Sequence, residues 1–252
     1  MFIKVNYLYT FTNNIPMWIP KWLGEAYVKM YSEFHTNLFT FNDAKKILGY
    51  NESKVKIILS RLHDKGILMI FERKRPRIYR LISSENFLLL ASDKIRKLNI
   101  RQERYLQLIY DCFRSLNRIV NLESLILYGS IARGDAKANS DLDLLVVSDD
   151  FHGSIGSRIE FLLMNIKPML RDELNFLRRH GYNVFLSFYP LRCNEIYRFP
   201  IFLLDLIDDA KIIYDKNNFF EKFLLEFKLK IMGMNARKIK SKHGWIWILR
   251  GE

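Results

Sequence analysis

One strand–turn–strand stretch constrains this chain more than any other part of it. An apolar run from Leu125 to Tyr128 ends abruptly at Gly129 and Ser130, and a second apolar run carries Asp141 and Asp143 at its start. On a strand, residues two apart point to the same face, so the two carboxylates are predicted to lie side by side. Adjacent like charges on a sheet face are unfavourable unless a cation lies between them. The spacing therefore favours a divalent metal ion at this pair.

The turn between the two runs is suited to a phosphate. Glycine lets the backbone approach a bulky group, and the residues from Ser130 to Arg133 can open a helix whose free N–H groups face an anion. A phosphate-binding turn beside a carboxylate pair is the equipment that phosphoryl or nucleotidyl transfer requires. The alternative is a surface hairpin that happens to carry two acids.

The same residues resemble the signature of the polymerase-β-like nucleotidyltransferase superfamily, in its minimal form. That signature joins Gly-Ser, a short spacer and Asp-x-Asp, and it matches Gly129, Ser130, Arg133, Asp141 and Asp143. The resemblance implies a small mixed sheet flanked by helices, with Gly129 and Ser130 binding the triphosphate of an NTP. It also implies that Asp141 and Asp143 are the catalytic residues and hold Mg²⁺ or Mn²⁺. Arg133 is either a further phosphate ligand or a structural support of the loop.

The sequence departs from this family pattern on the third predicted strand, Val184 to Tyr189. The superfamily usually carries a third carboxylate there, but here Ser187 is the only clearly polar side chain apart from the hydroxyl of the last residue. Neither group replaces a carboxylate as a ligand of a hard cation. The next segment offers Asp205, Asp208 and Asp209 as alternatives. Without one of them, the pair is expected to bind one metal ion well and a second poorly.

The N-terminal part of the chain contains two short predicted helices followed by a hairpin. The helices run from Phe41 to Gly49 and from Asn51 to Gly66, where glycines are suited to end them. Strands are predicted from Ile67 to Ile70 and from Arg77 to Ile82. Helix, turn, helix and hairpin in this order resemble a winged helix-turn-helix domain.

Basic residues concentrate in the second helix and the hairpin. From Asn51 to Ile82 the segment carries nine basic residues against three acidic ones, Arg80 among the basic residues. The helix is expected to enter a major groove while the hairpin binds phosphates. Winged helices also serve as protein-docking modules, and that alternative stays open. The predicted nucleic-acid ligands are Lys54 and Lys56 on the helix and four residues of the hairpin, here called the wing cations: Arg73, Lys74, Arg75 and Arg77.

The charge of the whole chain points to a polyanionic partner. Its 252 residues carry a net charge of +13, which favours nucleic acid first, an anionic membrane surface second and nucleotides third. Cys112 and Cys193 have no paired spacing, which argues against a zinc site or a disulfide framework. With no evident signal peptide or membrane-spanning run, we expect a cytoplasmic protein without a membrane partner.

An α+β fold in three parts is predicted. A winged helix domain over 1–92 is followed by a connecting helix over 93–120 and a nucleotidyltransferase-like domain over 121–252, with a mixed β-sheet flanked by helices. The first functional hypothesis is Mg²⁺-dependent transfer of an NMP from an NTP to a protein or RNA acceptor such as tRNA. The second is a DNA-binding regulator or antitoxin-like protein whose transferase domain is weak or degenerate. The intact signature favours the first, and the missing third carboxylate favours the second.

Overall fold

A computed structural model describes residues 19–198, 203–204, 206–233, 237–241 and 244–248 of the chain. Its N-terminal part has three helices and a three-stranded antiparallel sheet in the order β1-β3-β2. Both predicted helices and both predicted strands are confirmed close to their predicted bounds. The elements are α1 (Lys21–Phe34), β1 (Leu38–Thr40), α2 (Phe41–Leu48), α3 (Glu52–Asp64), β2 (Leu68–Glu72) and β3 (Ile78–Leu81).

Local caps define both ends of α2 and the start of α3. Thr40 accepts a hydrogen bond from the backbone amide of Asp43, whose carboxylate accepts one from the Thr40 amide at 2.8 Å, and together they close a capping box. Gly49 ends α2 in the left-handed region, at φ 72°, which favours glycine. The Asn51 side chain then accepts from the Lys54 amide at 2.9 Å and starts α3. The tight turn thus follows from a few neighbouring residues.

The segment that joins the two halves differs from the helix predicted over 93–120. The backbone amide of Arg96 donates to the carbonyl of Ile213 at 2.8 Å, and that of Leu98 donates to the hydroxyl of Tyr110 at 3.1 Å. Because these amides bond to other parts of the protein, residues 93–102 are not helical, and only the later part of the prediction is correct. The helical elements around them are α4 (Ser84–Ala91), a 3₁₀ turn (Glu103–Tyr105) and α5 (Leu106–Ile119).

A four-stranded mixed sheet forms the centre of the C-terminal half. Its order is β6-β5-β4-β7, with β5 antiparallel to β4 and parallel to β6. The predicted mixed α+β class is therefore confirmed. The strands are β4 (Ser124–Tyr128), β5 (Asp141–Val147), β6 (Phe185–Leu191) and β7 (Lys211–Asp215), and the helices between them are α6 (Gly129–Arg133), α7 (Ile155–Met169), α8 (Arg171–Arg179), α9 (Cys193–Ile196) and α10 (Leu206–Asp209).

The two faces of this sheet pack into different cores. Leu142 and Leu144 belong to a core that continues into the N-terminal helices, where it includes Leu62. Leu145 and Val147 point the other way and pack with residues of α9, α10 and α11 (Phe219–Gly233). Because strand side chains alternate, the carboxylates at the start of β5 lie on this second face.

The C-terminal strands β8 (Arg237–Ser241) and β9 (Gly244–Ile248) form an antiparallel hairpin. Among the helices that the structure describes, none is both long enough and apolar enough to cross a membrane.

Candidate active site

Asp141 and Asp143 lie at the beginning of β5, on the second face of the sheet. Asp141 is exposed and Asp143 is half-buried, whereas Leu142 between them is fully buried on the opposite face. Asp143 pairs in register with Tyr128 on β4 and with Ser187 on β6. The structure therefore gives the two carboxylates the shared face that their spacing predicted.

Gly129 begins α6 directly beside Asp143. Its φ of 72° lies in the left-handed region, which a residue with a side chain rarely adopts. A Cβ at this position would overlap Oδ2 of Asp143 and lie 3.0 Å from its Cγ. Glycine is thus required both by the backbone conformation and by the space, and the predicted phosphate turn touches the predicted carboxylate pair.

The surroundings of Asp143 disfavour its charged form. Burial raises the pKa of Asp143, and the charge of Asp141 raises it further, while a hydrogen bond from Ser187 and the guanidinium of Arg133 act in the opposite direction. Burial, with help from the charge of Asp143, also raises the pKa of Tyr128 to about 12. A cation bound between the carboxylates would relieve their repulsion.

The loop from Gly134 to Ser140, here called the active-site loop, is held from the connecting segment. The Gln102 side chain donates to the carbonyl of Ala136 at 2.8 Å and accepts from its amide at 3.1 Å. Arg133 lies just before the loop, with Nε 3.4 Å from Oδ2 of Asp135. Arg133 thus contacts the loop, and its charge also acts on the carboxylate pair.

The described residues bring no third acidic side chain to the aspartate pair. Within them, no group of three or more His, Cys, Asp or Glu side chains could hold a metal ion. Ser187 occupies the position on β6 next to the pair. Asp208 and Asp209 lie on α10, which packs against α6, and Asp205 lies outside the described residues.

The two predicted nucleic-acid ligands on α3 are exposed and make local contacts. Lys54 Nζ lies 3.5 Å from the centroid of the Tyr50 ring, and Lys56 Nζ lies 2.6 Å from Oε1 of Glu52. Both contacts are on the protein surface, where an ion pair contributes little to stability. Both lysines therefore remain available to a solvent-side partner.

The wing cations lie in the turn between β2 and β3, and all four are exposed. Arg73 pairs with Oε1 of Glu103 at 2.6 Å, whereas Lys74, Arg75 and Arg77 have no ion-pair partner in the part of the chain that the structure describes. The structure thus leaves three of the four predicted hairpin ligands without a competing acid.

Arg80 is the exception within the basic run. It is only 1% exposed and forms a buried ion pair with Glu173, so it is unavailable to a nucleic acid. Glu103 is a second acid that pairs with a cation of the basic run. Besides Arg73, it accepts hydrogen bonds from the Ile70 amide at 2.7 Å and from His63 at 2.9 Å. The sequence contained no signal for either acid, because their partners lie 30 or more residues away along the chain.

Comparisons with known proteins bear on the family of this chain. The family model of the nucleotidyltransferase domain matches residues 106–232, which is half of the chain. A protein of Methanocaldococcus jannaschii, MJ1305, named as a candidate protein adenylyltransferase, is 30% identical over 126 residues that span 50% of this chain and 80% of that protein.

Two solved structures are more distant. A toxin–antitoxin complex with AMP-PNP is 14% identical with a TM-score of 0.31, over 50% of this chain and 92% of that one. A toxin–antitoxin complex of MntA and HpeT is 15% identical with a TM-score of 0.29, over 49% of this chain and 88% of that one. The family model and the archaeal relative agree with the signature around Gly129 and Asp143, and the chain belongs to the nucleotidyltransferase domain family.

Proposed function

We propose that this chain transfers a nucleoside monophosphate from an NTP to a hydroxyl acceptor. The observation that carries the proposal is the contact between Gly129 and Asp143, which joins the phosphate turn to the carboxylate pair with no side chain between them. In this role Gly129 and Ser130 bind the phosphates of the NTP, and Asp141 and Asp143 are the catalytic residues. Membership of the nucleotidyltransferase family supports this class of reaction.

The proposed reaction breaks a phosphoanhydride bond of the NTP and forms a phosphate ester bond to the acceptor. The acceptor oxygen forms a bond to the α-phosphorus of the NTP, and the bond from that phosphorus to the oxygen bridging the β-phosphate breaks. Pyrophosphate leaves with the electron pair of that bond, and the hydroxyl proton passes to solvent. Arg133, at the end of α6, supplies positive charge near the phosphates.

The aspartate pair fits a hard divalent cation, Mg²⁺ or Mn²⁺. Two carboxylates on one sheet face offer oxygen ligands, and their mutual repulsion contributes to the raised pKa of Asp143. Such an ion, when bound, would offset part of the negative charge of the triphosphate and lower the pKa of the attacking hydroxyl. Since Ser187 stands next to Asp143 where the superfamily usually has a carboxylate, we expect one ion to be held more firmly than a second.

We further propose that the N-terminal part is a winged helix that binds nucleic acid. The element order from α1 to β3 and the antiparallel sheet support this interpretation. Lys54 and Lys56 on α3 face solvent, and the wing cations lie at the tip of the hairpin. In this arrangement α3 lies in a groove of the nucleic acid and the wing cations bind its phosphates.

A regulator is the second candidate function. The absence of a third carboxylate from the described residues around the pair favours a domain that binds nucleotide without transferring it, coupled to DNA binding by the winged helix.

For the first candidate function, nucleotidyl transfer, the acceptor is a protein or an RNA such as tRNA. The name of the archaeal relative supports a protein acceptor.

A transfer assay tests the proposal. Each α-labelled NTP is supplied with Mg²⁺ or Mn²⁺ and with total tRNA, a cell lysate or the protein itself as acceptor. The Asp141→Asn/Asp143→Asn variant is expected to lose label transfer, whereas Glu160→Gln/Asp172→Asn, which neutralises two exposed acids on α7 and α8, is expected to keep it.

Metal binding gives a second measurement that does not depend on activity. Binding of Mn²⁺, followed by electron paramagnetic resonance, should weaken in the Asp141→Asn/Asp143→Asn variant and not in the control. If wild-type protein binds nucleotide but labels no acceptor, the regulator becomes the better interpretation.

A further inference from the structure

Three consecutive residues join the wing to the active-site loop. Arg101 packs against Gly134, where an added Cβ would lie 2.6 Å from the Arg101 Cβ. Gln102 is hydrogen-bonded to the loop at two points, and Glu103 is bonded to Arg73 of the wing. Because the chain advances at most about 3.6 Å per residue, the Cα atoms of Arg101, which contacts the loop, and Glu103, which contacts the wing, are no more than about 7 Å apart.

Exposed cations lie on the wing, on the connecting segment and on the loop. We call them the basic strip, which consists of Arg73, Lys74, Arg75, Arg77, Arg101 and Lys137. Apart from Arg73, the residues of the strip have no ion-pair partner among the residues that the structure describes. Few free acids lie beside the strip, because Glu103 is paired with Arg73, Asp135 lies against Arg133, and Glu72 is half-buried.

An exposed aromatic ring lies beside the catalytic pair. Phe185 opens the edge strand β6, pairs in register with Asp141 and is 55% exposed. Residues paired in register on neighbouring strands point to the same face of a sheet, so the ring lies next to the carboxylate. Such a ring is available to stack on a nucleobase, which is an interaction that tolerates any base.

We propose that the basic strip and Phe185 bind a polynucleotide strand and deliver its terminal hydroxyl to Asp141 and Asp143. This inference rests on the proposed nucleotidyl transfer and names its acceptor as nucleic acid rather than protein. The cations of the strip bind phosphates of the strand, and the terminal base stacks on Phe185. The reaction extends the strand by one nucleotide and releases pyrophosphate, with the bond changes given above.

Charge complementarity favours a polynucleotide over a protein as the occupant. Proteins hold single strands by combining a positively charged track along the backbone with aromatic rings under the bases. The strip and Phe185 supply both parts, and the strip ends at the loop that leads into Asp141. The evenly spaced phosphates of a strand match this row of six exposed cations better than the irregular charges of a protein surface do.

Binding is measured on the full chain with a fluorescein-labelled single strand of roughly 20 nucleotides, as RNA and as DNA, over a range of salt concentrations. Arg101→Ala/Lys137→Ala is expected to weaken binding about tenfold. Its slope of log affinity against log salt should fall by about 1.4, because each single-strand phosphate contact contributes about 0.7. A loss of affinity for either strand type in this variant supports the strip, and failure of both strands to bind the wild-type protein overturns it.

A matched variant separates the strip from net charge. Lys21→Ala/Lys222→Ala removes the same charge from exposed positions on α1 and α11 and is expected to leave affinity and salt slope unchanged. Equal losses in the two double variants would overturn the strip as a specific surface.

Stacking is measured with 2-aminopurine as the terminal base of the strand, since its fluorescence is quenched when it stacks. Phe185→Ala is expected to restore the emission and to slow extension of the strand about tenfold, whereas Phe185→Trp is expected to keep both quenching and extension. Quenching that persists in the Phe185→Ala variant would show that the terminal base does not stack on Phe185.

Failure of this inference can be told apart from failure of the transferase proposal. If Arg101→Ala/Lys137→Ala labels a protein acceptor at the wild-type rate, the acceptor is a protein and nucleotidyl transfer still stands. The Asp141→Asn/Asp143→Asn variant is expected to retain strand affinity while losing extension.

Discussion

Arg80 and Glu173 form a bidentate salt bridge that joins β3 to α8. The two terminal nitrogens of Arg80 donate to the two carboxylate oxygens of Glu173 at 2.6 and 2.7 Å, and both residues are buried. Nε of Arg80 donates to the carbonyl of Thr36 at 2.6 Å, and the guanidinium lies 3.7 Å from the centroid of the Phe176 ring. Because both charges are paired and hydrogen-bonded, the pair tolerates burial and attaches the N-terminal sheet to the C-terminal half.

Removing one member of this pair should strongly destabilise the fold. Arg80→Ala is expected to lower the free energy of unfolding by about 3–5 kcal/mol, because Glu173 is left as a buried unpaired charge. Urea denaturation measures the change. Arg77→Ala, at an exposed position near the same strand, should change it by less than about 0.5 kcal/mol. An Arg80→Met/Glu173→Leu variant should recover most of the loss, and a failure of Arg80→Ala to exceed the Arg77→Ala effect would contradict the buried pair.

Adding a methyl group at Gly129 should disturb the carboxylate pair. Gly129→Ala is expected to displace the Asp143 carboxylate and to weaken Mn²⁺ binding about tenfold, a change of about 1.4 kcal/mol. Gly181→Ala is the matched control, since Gly181 also has a positive φ, of 86°, but an added Cβ there meets nothing within 4 Å. Mn²⁺ binding and urea denaturation of both variants separate the effect of backbone strain from that of the overlap. Equal Mn²⁺ affinities would argue against the close approach.

Gln102 should control the order of the active-site loop. Gln102→Ala removes two hydrogen bonds to the backbone of Ala136. We expect it to lower the free energy of unfolding by about 1–2 kcal/mol. Hydrogen–deuterium exchange of residues 134–140 should become faster while exchange in α1 stays unchanged. Asn99→Ala, at an exposed position in the same connecting segment, is the control. Unchanged exchange in the loop would mean that other contacts hold it.

Glu195 should make stability depend on acid pH. Hydrogen bonds from Arg158, at 2.6 and 2.9 Å, are the largest cause that lowers the pKa of Glu195 from its ordinary 4.5 to about 2, and the Arg192 amide contributes. Since the folded-state pKa is the lower one, this stabilisation is fully present above the ordinary value and is lost as pH falls towards about 2.

Glu195→Gln tests this dependence. The variant is expected to unfold about 2 kcal/mol more easily than wild type at neutral pH, because a buried arginine loses its carboxylate. The difference should shrink as the pH is lowered to about 3, as measured by urea denaturation over that range. Glu160→Gln, at an exposed position on α7, should show no such trend. A difference that stays constant with pH would mean that the charge of Glu195 is unimportant.

Local chemistry was enough to predict the candidate site. Gly129, Ser130 and the aspartate pair lie within 15 residues of one another, and strand periodicity alone puts both carboxylates on one face. The same holds for α2 and α3, whose ends are defined by caps and glycines a few residues apart. The sequence also predicts that β6 lacks a carboxylate, because Ser187 is the clearly polar side chain of that strand.

Other features depended on which distant segments meet. The spacing of apolar residues predicted a helix that begins near Asp93, but there the backbone amide of Arg96 bonds to β7 and helical bonding is lost. Arg80 belongs to the basic run of the sequence, yet its partner Glu173 lies 93 residues further along and draws it into the core. Periodicity and caps act through hydrogen bonds between near neighbours, so they can be read from the chain. Charge pairing and backbone bonding across tens of residues depend on how the elements pack, and only the folded structure reveals them.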